Sequence, residues 1–389
     1  MKRLAIPTIA VAVLMLAFAQ PAAADRKLVV DKDKAECRNA KYTSIQAAVT
    51  AAGAGDRIVV CPDTYIEHVT IATPAKNGVT LTAKGPLGSV VVDGANTLMH
   101  GFELTDVTGV VITGFLVKRY HDDIWLNPTA DGNTIRHNVT TEAWDHDGIV
   151  VQGDRNLIEH NLSFGNTKAI SCGISVGTGG SNNIIRHNEV HHNPNTGILL
   201  GGGLLGPAGP GNRIVHNRSH DNGKPFPGAA AGTGILNAIS PGSLIAHNDV
   251  HDNNGNGIAI AGATSTGVVV EHNRILGNGR SGIEVVAGAS RNTLRHNDLR
   301  LNRNDGISLV NGDNNTIGRN HARANGRDGI RADSASAGNV ISRNHMRRNG
   351  EHDCHDDSVG AGTSGTANSW NKNKGNTENR PGLCKGKHS

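Results

Sequence analysis

The chain has 389 residues, including 50 Gly but only five Phe, three Tyr and three Trp; 37% is hydrophobic, 19% is charged, and the formal charge is +4. So few large rings cannot fill one large core, so Ile, Val, Leu and Ala must pack in many small equivalent layers. With 38 basic against 34 acidic residues, the overall balance offers no concentrated basic face for nucleic acid.

Lys2 and Arg3 precede an apolar run over 4–19, and Pro21 leads into Ala22, Ala23 and Ala24, which together predict a signal peptide over 1–24. The run is shorter than the roughly 20 residues that a spanning helix needs. The expected mature chain, 25–389, keeps 36 basic and 34 acidic residues and has no further stretch able to cross a bilayer. It is expected outside the cytoplasm, free of membrane and monomeric. In an oxidising compartment Cys37 pairs with Cys61 and Cys354 with Cys384 on this reading, leaving Cys172 alone. Without a Cys-x-x-Cys pair, a thiolate metal site is disfavoured.

Thr43-Ser44-Ile45-Gln46 has a capping-box pattern ahead of a short helix predicted over 47–52. Strands are expected over 57–60 and 69–71, then in less regular coils over 79–83, 90–93, 102–104 and 110–112. From there the chain repeats. His-Asn recurs at 137, 160, 187, 216, 247, 272 and 296 and continues as Arg319-Asn320 and Arg343-Asn344, at intervals of 23, 27, 29, 31, 25, 24, 23 and 24. A second Asn follows five residues later from Asn166 to Asn349, and a Gly-Ile pair recurs from Gly148 to Gly329. Short alternating strands between Gly and Asn bends bury their apolar face only on the next copy, which predicts a solenoid of parallel strands rising about 4.8 Å per coil. Aligned Asn amides are expected to bond up the stack, with Asn and Gly supplying the left-handed turns.

These columns resemble the repeats of right-handed parallel β-helix proteins of the pectate lyase-like superfamily. The resemblance implies an all-β, single-stranded right-handed solenoid with an N-terminal cap over 36–62, coils over 63–349 and a disulfide-tied C-terminal cap over 350–389 that contains Trp370 and Cys384.

Alignment on the Gly-Ile column sets Asp123-Ile124 against Gly148-Ile149. It also stacks Tyr120 with Asp145, His121 with His146 and Asp122 with Asp147 on one loop edge. Such acids and bases suit proton transfer on an acidic sugar, with Lys118 and Arg119 neutralising its carboxylate and Trp125 and Trp144 stacking on its ring. Asp145-His146-Asp147 resembles part of the Asp-Pro-His-Asp/Glu element of alginate C5-epimerases, which implies His146 or Tyr120 as acid or base; the Pro is absent here. The superfamily resemblance also implies Ca²⁺, for which Asp122, Asp123, Asp145 and Asp147 offer oxygen ligands. Turn solvation by the same acids is the plain structural alternative.

The His-Asn column serves either as a ladder or as a metal site. The superfamily resemblance, which includes a copper-linked periplasmic protein, implies the metal reading, for which His191, His220 and His251, adjoining His192, Asp221 and Asp252, form the better candidate. The longer coils over 201–211 and 224–232 read as cleft lips or as plain loops. The functional expectation is a secreted protein that engages polysaccharide, as a lyase or C5-epimerase; a non-catalytic carbohydrate-binding or wall-associated solenoid is the alternative, with metal handling third.

Overall fold

The computed structural model describes residues 25–224 and 232–384; the expected signal peptide and most of the loop over 224–232 lie outside the described residues. No described helix is long and apolar enough to cross a membrane.

The α-helix spans Ile45–Ala51, starting two residues before the expected position. Its N-cap is Ser44, whose hydroxyl accepts the Ala47 N–H at 3.1 Å, while the Glu67 carboxylate takes the Ile45 and Gln46 amides at 2.9 Å. A carboxylate brought from the first coil thus satisfies the helix's free amides, and Gln46 instead bonds the Thr70 backbone. Ile45, Ala48 and Val49 are buried against the first strands, so the helix covers the open end of the stack.

Each coil contributes one strand to each of three parallel sheets, of 14, 12 and 12 strands. Thr134–Arg136, Val139–Thr141 and Ile149–Val151 make one such coil. Register stacks like on like: Ile135 on Ile158, Thr140 on Ser163 and Ile149 on Ile174. Because side chains alternate along a strand, the central Ile of successive first-sheet strands, such as Ile112, Ile135, Ile158, Ile185 and Ile214, is fully buried. Lys27–Val30 already pairs with Arg57–Val60, while Cys354–Asp356 and Ser369–Asn371 extend the third and first sheets. The ladders therefore run into both segments expected as caps. Cys37–Cys61 and Cys354–Cys384 are bonded, as expected, and Cys172 is a buried free thiol.

The turn chemistry differs from expectation. The left-handed residue is the His or Arg before the Asn, with φ between 53° and 58° from His137 to Arg343. The Asn itself turns inward. Asn217 Oδ1 accepts the Asn188 N–H at 3.0 Å, and its Nδ2 donates to the Ile185 carbonyl at 2.9 Å and to Asn248 Oδ1 at 3.1 Å. These bonds offset the roughly 1–2 kcal/mol that a left-handed non-Gly residue costs. The seven imidazoles stack outside at 4.8–5.2 Å with rings within 10° of parallel. Glycine in the Gly-Ile column answers a packing demand. Gly197 has no positive φ, but a Cβ there would lie 2.2 Å from Ser219 Oγ and 2.6 Å from the Gly234 carbonyl.

Candidate active-site cleft

The loop edge forms where the second sheet turns into the third. Thr141 stands over Lys118, 23 residues apart, whereas Ile149 stands over Ile124, 25 apart. The turn before Ile149 therefore holds two more residues than the one before Ile124. Trp144 N–H donates to the Tyr120 carbonyl, 24 residues back, and His146 N–H to that of His121, 25 back, so one of the two extra residues is taken up between these contacts. This corrects the expected stacking of Tyr120 on Asp145. Tyr120 falls over Ala143 at the inward position that later coils fill with Asn; it is fully buried, and its hydroxyl donates to the Glu67 carbonyl. Burial drives its pKa far upward, so Tyr120 stands apart from the acid–base cluster.

The expected His121–His146 and Asp122–Asp147 contacts are made. The imidazoles stack at 5.8 Å and 15°, and Asp122 Oδ1 accepts the Asp147 N–H at 3.1 Å. Asp122 lies between the rings, 2.9 Å from His121 Nδ1 and 2.9 Å from His146 Nδ1, while Asp147 faces His146 Nδ1 at 3.4 Å. Asp145 reaches His121 Nε2 at 3.1 Å and Lys168 Nζ at 2.7 Å. Sequence reasoning missed Lys168, and with it His68, His100 and Glu103, which continue the row toward the N-terminus. His100 lies edge-on to His68 and His121 and stacks on Trp125 at 4.5 Å, and His68 Nε2 meets Glu103 at 2.7 Å. Trp144 stands edge-on to His121 at 5.5 Å. Lys118 and Arg119 lie at the end of the second sheet, and Arg119 is bonded to Asp93, so Lys168 is the cation paired within the cluster. On the C-terminal side His146, Asp147 and Cys172 line a cleft of about 150 Å³ whose lip is Gly202, Gly203, Leu204 and Leu205. The long coil over 201–211 is thus a cleft wall.

Electrostatics divide the cluster into charged and neutral members. Burial opposes charge on His146, but the Asp122 hydrogen bond and the Asp147 and Asp122 charges outweigh it and raise its pKa to about 9. The Asp122 bond also raises His121. Burial works against ionised Asp122 as well, yet the hydrogen bonds from His121 and His146 hold its pKa well below the carboxylate range. Burial lifts Asp147 to about 6 and lowers His100. A raised imidazole pKa adds stability that is complete below 6.5 and lost as pH climbs through about 9. Asp147, also raised, loses its contribution lower, from 3.8 up to about 6. The urea midpoint is therefore expected to fall between pH 6.5 and about 9, with a smaller fall in His146→Gln; parallel profiles would show that His146 titrates at its ordinary value.

The four aspartates do not converge as a Ca²⁺ site. Asp123 occupies the Gly column and is wholly buried, with its pKa pushed far upward by burial. Asp122 and Asp147 face His146, and Asp145 faces Lys168. No group of three convergent ligand atoms among the described residues includes any of them. The second histidine column is likewise outside those groups. His191, His220 and His251 stack at 4.9 and 4.8 Å, and Nδ1 of His220 and His251 meets Asp221 and Asp252 at 2.6 and 2.9 Å.

Three parallel sheets with a cleft at one corner define a β-solenoid protein with a candidate site on the turns. The right handed beta helix region family matches residues 48–206, 167–303 and 245–382, and the chain belongs to that family. Its fold is similar to that of PfbA, a surface adhesin of Streptococcus pneumoniae, at 14% identity over 84% of this chain and 92% of that one, with a TM-score of 0.57. DFA-IIIase from Arthrobacter chlorophenolicus is similar at 12% identity over 83% and 92%, with a TM-score of 0.55. The Dettilon tailspike protein is similar at 18% identity over 85% of this chain, with a TM-score of 0.53; this chain spans 63% of the tailspike's length. At these identities the likeness is one of fold. Searched against curated proteins, the sequence has no match.

Proposed function

We propose that this chain is a secreted enzyme acting on an acidic polysaccharide at the row of histidines between the second and third sheets, by elimination or C5 epimerisation. The observation that carries the reading is the Asp122-centred pair of imidazoles, His121 and His146, bordered by Lys168 and two tryptophans and opening on a cleft. Two disulfides support an oxidising compartment.

The chemistry follows from charge. His146 and Lys168 are cations suited to a uronate carboxylate, whose neutralisation acidifies the adjacent C5–H. His121 is the proton acceptor. Its side chain is about a quarter exposed, and carboxylates on both nitrogens stabilise the imidazolium formed when it takes that proton. A substrate carboxylate competes with Asp145 for Lys168 and frees His121 Nε2. In elimination, the C5–H electron pair forms the C4–C5 double bond, the C4–O bond breaks, and the departing oxygen takes a proton from water. Epimerisation needs an acid on the opposite face instead. Tyr120, the residue expected to supply it, is buried, which favours elimination.

Incubation with pectic, alginate and glycosaminoglycan polymers, read by unsaturated-uronate absorbance and by proton NMR for C5 inversion, tests the proposal. The expected pH profile is bell-shaped, rising above 6.5 as His121 loses its proton and falling near 9 as His146 loses its own. Silence across the panel with glycan binding retained would overturn catalysis and leave a binding solenoid.

A further inference from the structure

The outward column of the second sheet changes character along the stack. Phe164, His191, His220 and His251 lead through Leu276 to Arg300, Arg323 and Arg347, each in register with the next. Arg274 and Arg300 have partners in Asp249 and Asp298. Beyond them the neighbouring column offers His321 and His345 in place of acids, and among the described residues no ion pair is made by Arg323, Arg347 or Arg348. A cleft of about 380 Å³ opens here, lined by five arginines, Leu276, Leu301 and Ala324, with no acid in its wall. Like charges stacked across adjacent strands are destabilising, and nothing in the fold requires them on this outward column.

The geometry points to a second binding site on this chain, an arginine cleft for a linear polyanionic glycan. Guanidinium forks match carboxylate and sulfate groups in bidentate fashion. Stacking at about 4.8 Å per coil sets the forks in a line along the solenoid axis, which suits a polymer with regularly repeated anions better than one compact ion. Leu276 and Leu301, the latter 61% exposed, offer apolar contact to the C–H face of a sugar. The cleft wall has no Phe, Tyr or Trp, so the aromatic platforms on which single-stranded nucleic acid stacks are missing. The cleft begins five coils beyond the one that carries His146, or ~24 Å at about 4.8 Å per coil. Its occupancy therefore does not depend on the proposed catalysis.

Calorimetric titration of the full mature chain with polygalacturonate, dextran sulfate, neutral dextran and single-stranded and duplex DNA, at two salt concentrations, tests this. Arg323→Gln/Arg347→Gln is expected to weaken the acidic glycans about tenfold or more and to flatten their salt dependence. Arg57→Gln/Arg213→Gln, which removes the same charge from exposed first-sheet positions, is expected to leave affinity within about twofold. Preference between the carboxylated and the sulfated polymer identifies which anion the forks read. Equal weakening by both double variants, no binding of either acidic polymer at low salt, equal binding of neutral dextran, or tighter binding of DNA would each overturn the glycan site. Loss of binding with His146→Gln alone would place the glycan in the other cleft.

Discussion

Asp122→Asn is expected to lower turnover on the responsive polysaccharide by about two to four orders of magnitude, the range for removing positioned acid–base chemistry. Asp122 bonds Nδ1 of both His121 and His146, and its charge is one of the main causes that keep His146 protonated toward pH 9. An amide preserves the acceptor for the Asp147 N–H but removes the charge, so both imidazoles lose basicity while the turn keeps its shape. The basic limb of the pH profile then moves down, and the His146 ring resonance titrates well below 9 by NMR, a readout independent of any substrate. Tyr120→Phe is the matched control: it deletes only a buried hydroxyl bonded to the Glu67 carbonyl and should leave turnover within about twofold. A larger loss in Tyr120→Phe than in Asp122→Asn would reverse the assignment.

The second large effect is on stability. Asn217→Ala removes the acceptor of the Asn188 N–H and the donors to the Ile185 carbonyl and Asn248 Oδ1, all within a sealed stack. Each buried group left unpaired costs about 1–3 kcal/mol, so the expected loss is about 3–5 kcal/mol in urea denaturation. Because coils contact only their neighbours, unfolding is expected to start at this coil, and amide exchange there should quicken first. His216→Gly, one residue earlier, should be near neutral or stabilising, since φ is 58° and Gly adopts that conformation freely. If His216→Gly costs more than Asn217→Ala, the column is held by ring stacking instead of the amide ladder.

Most of the fold was legible because each column repeats a physical demand. Inward Ile fills the layer, the Asn amide joins neighbouring coils, and Gly clears space for the next backbone. Much of the site was legible too: His121, Asp122, His146 and Asp147 stand on adjacent coils close to the Gly-Ile column, so an offset of 25 brings them together. Tyr120 and Lys168 were misjudged or missed for one reason. A turn absorbs added residues without disturbing the strands on either side, so counting back from one strand misplaces whatever lies beyond the insertion. The arginine cleft escaped notice because whole-chain charge averages over faces, and 38 basic against 34 acidic residues conceals a wall with five guanidiniums and no carboxylate.

The sequence by itself therefore determined the solenoid, its coil spacing and the turn where acids and imidazoles gather, since these follow from periodicity and residue type. Only the tertiary structure decided which of those side chains face one another. Backbone pairing fixes the register of each sheet separately, and the turns between sheets take up the difference; that difference sent Tyr120 into the core, placed Asp145 beside Lys168, and left His146 between two carboxylates at the mouth of the cleft.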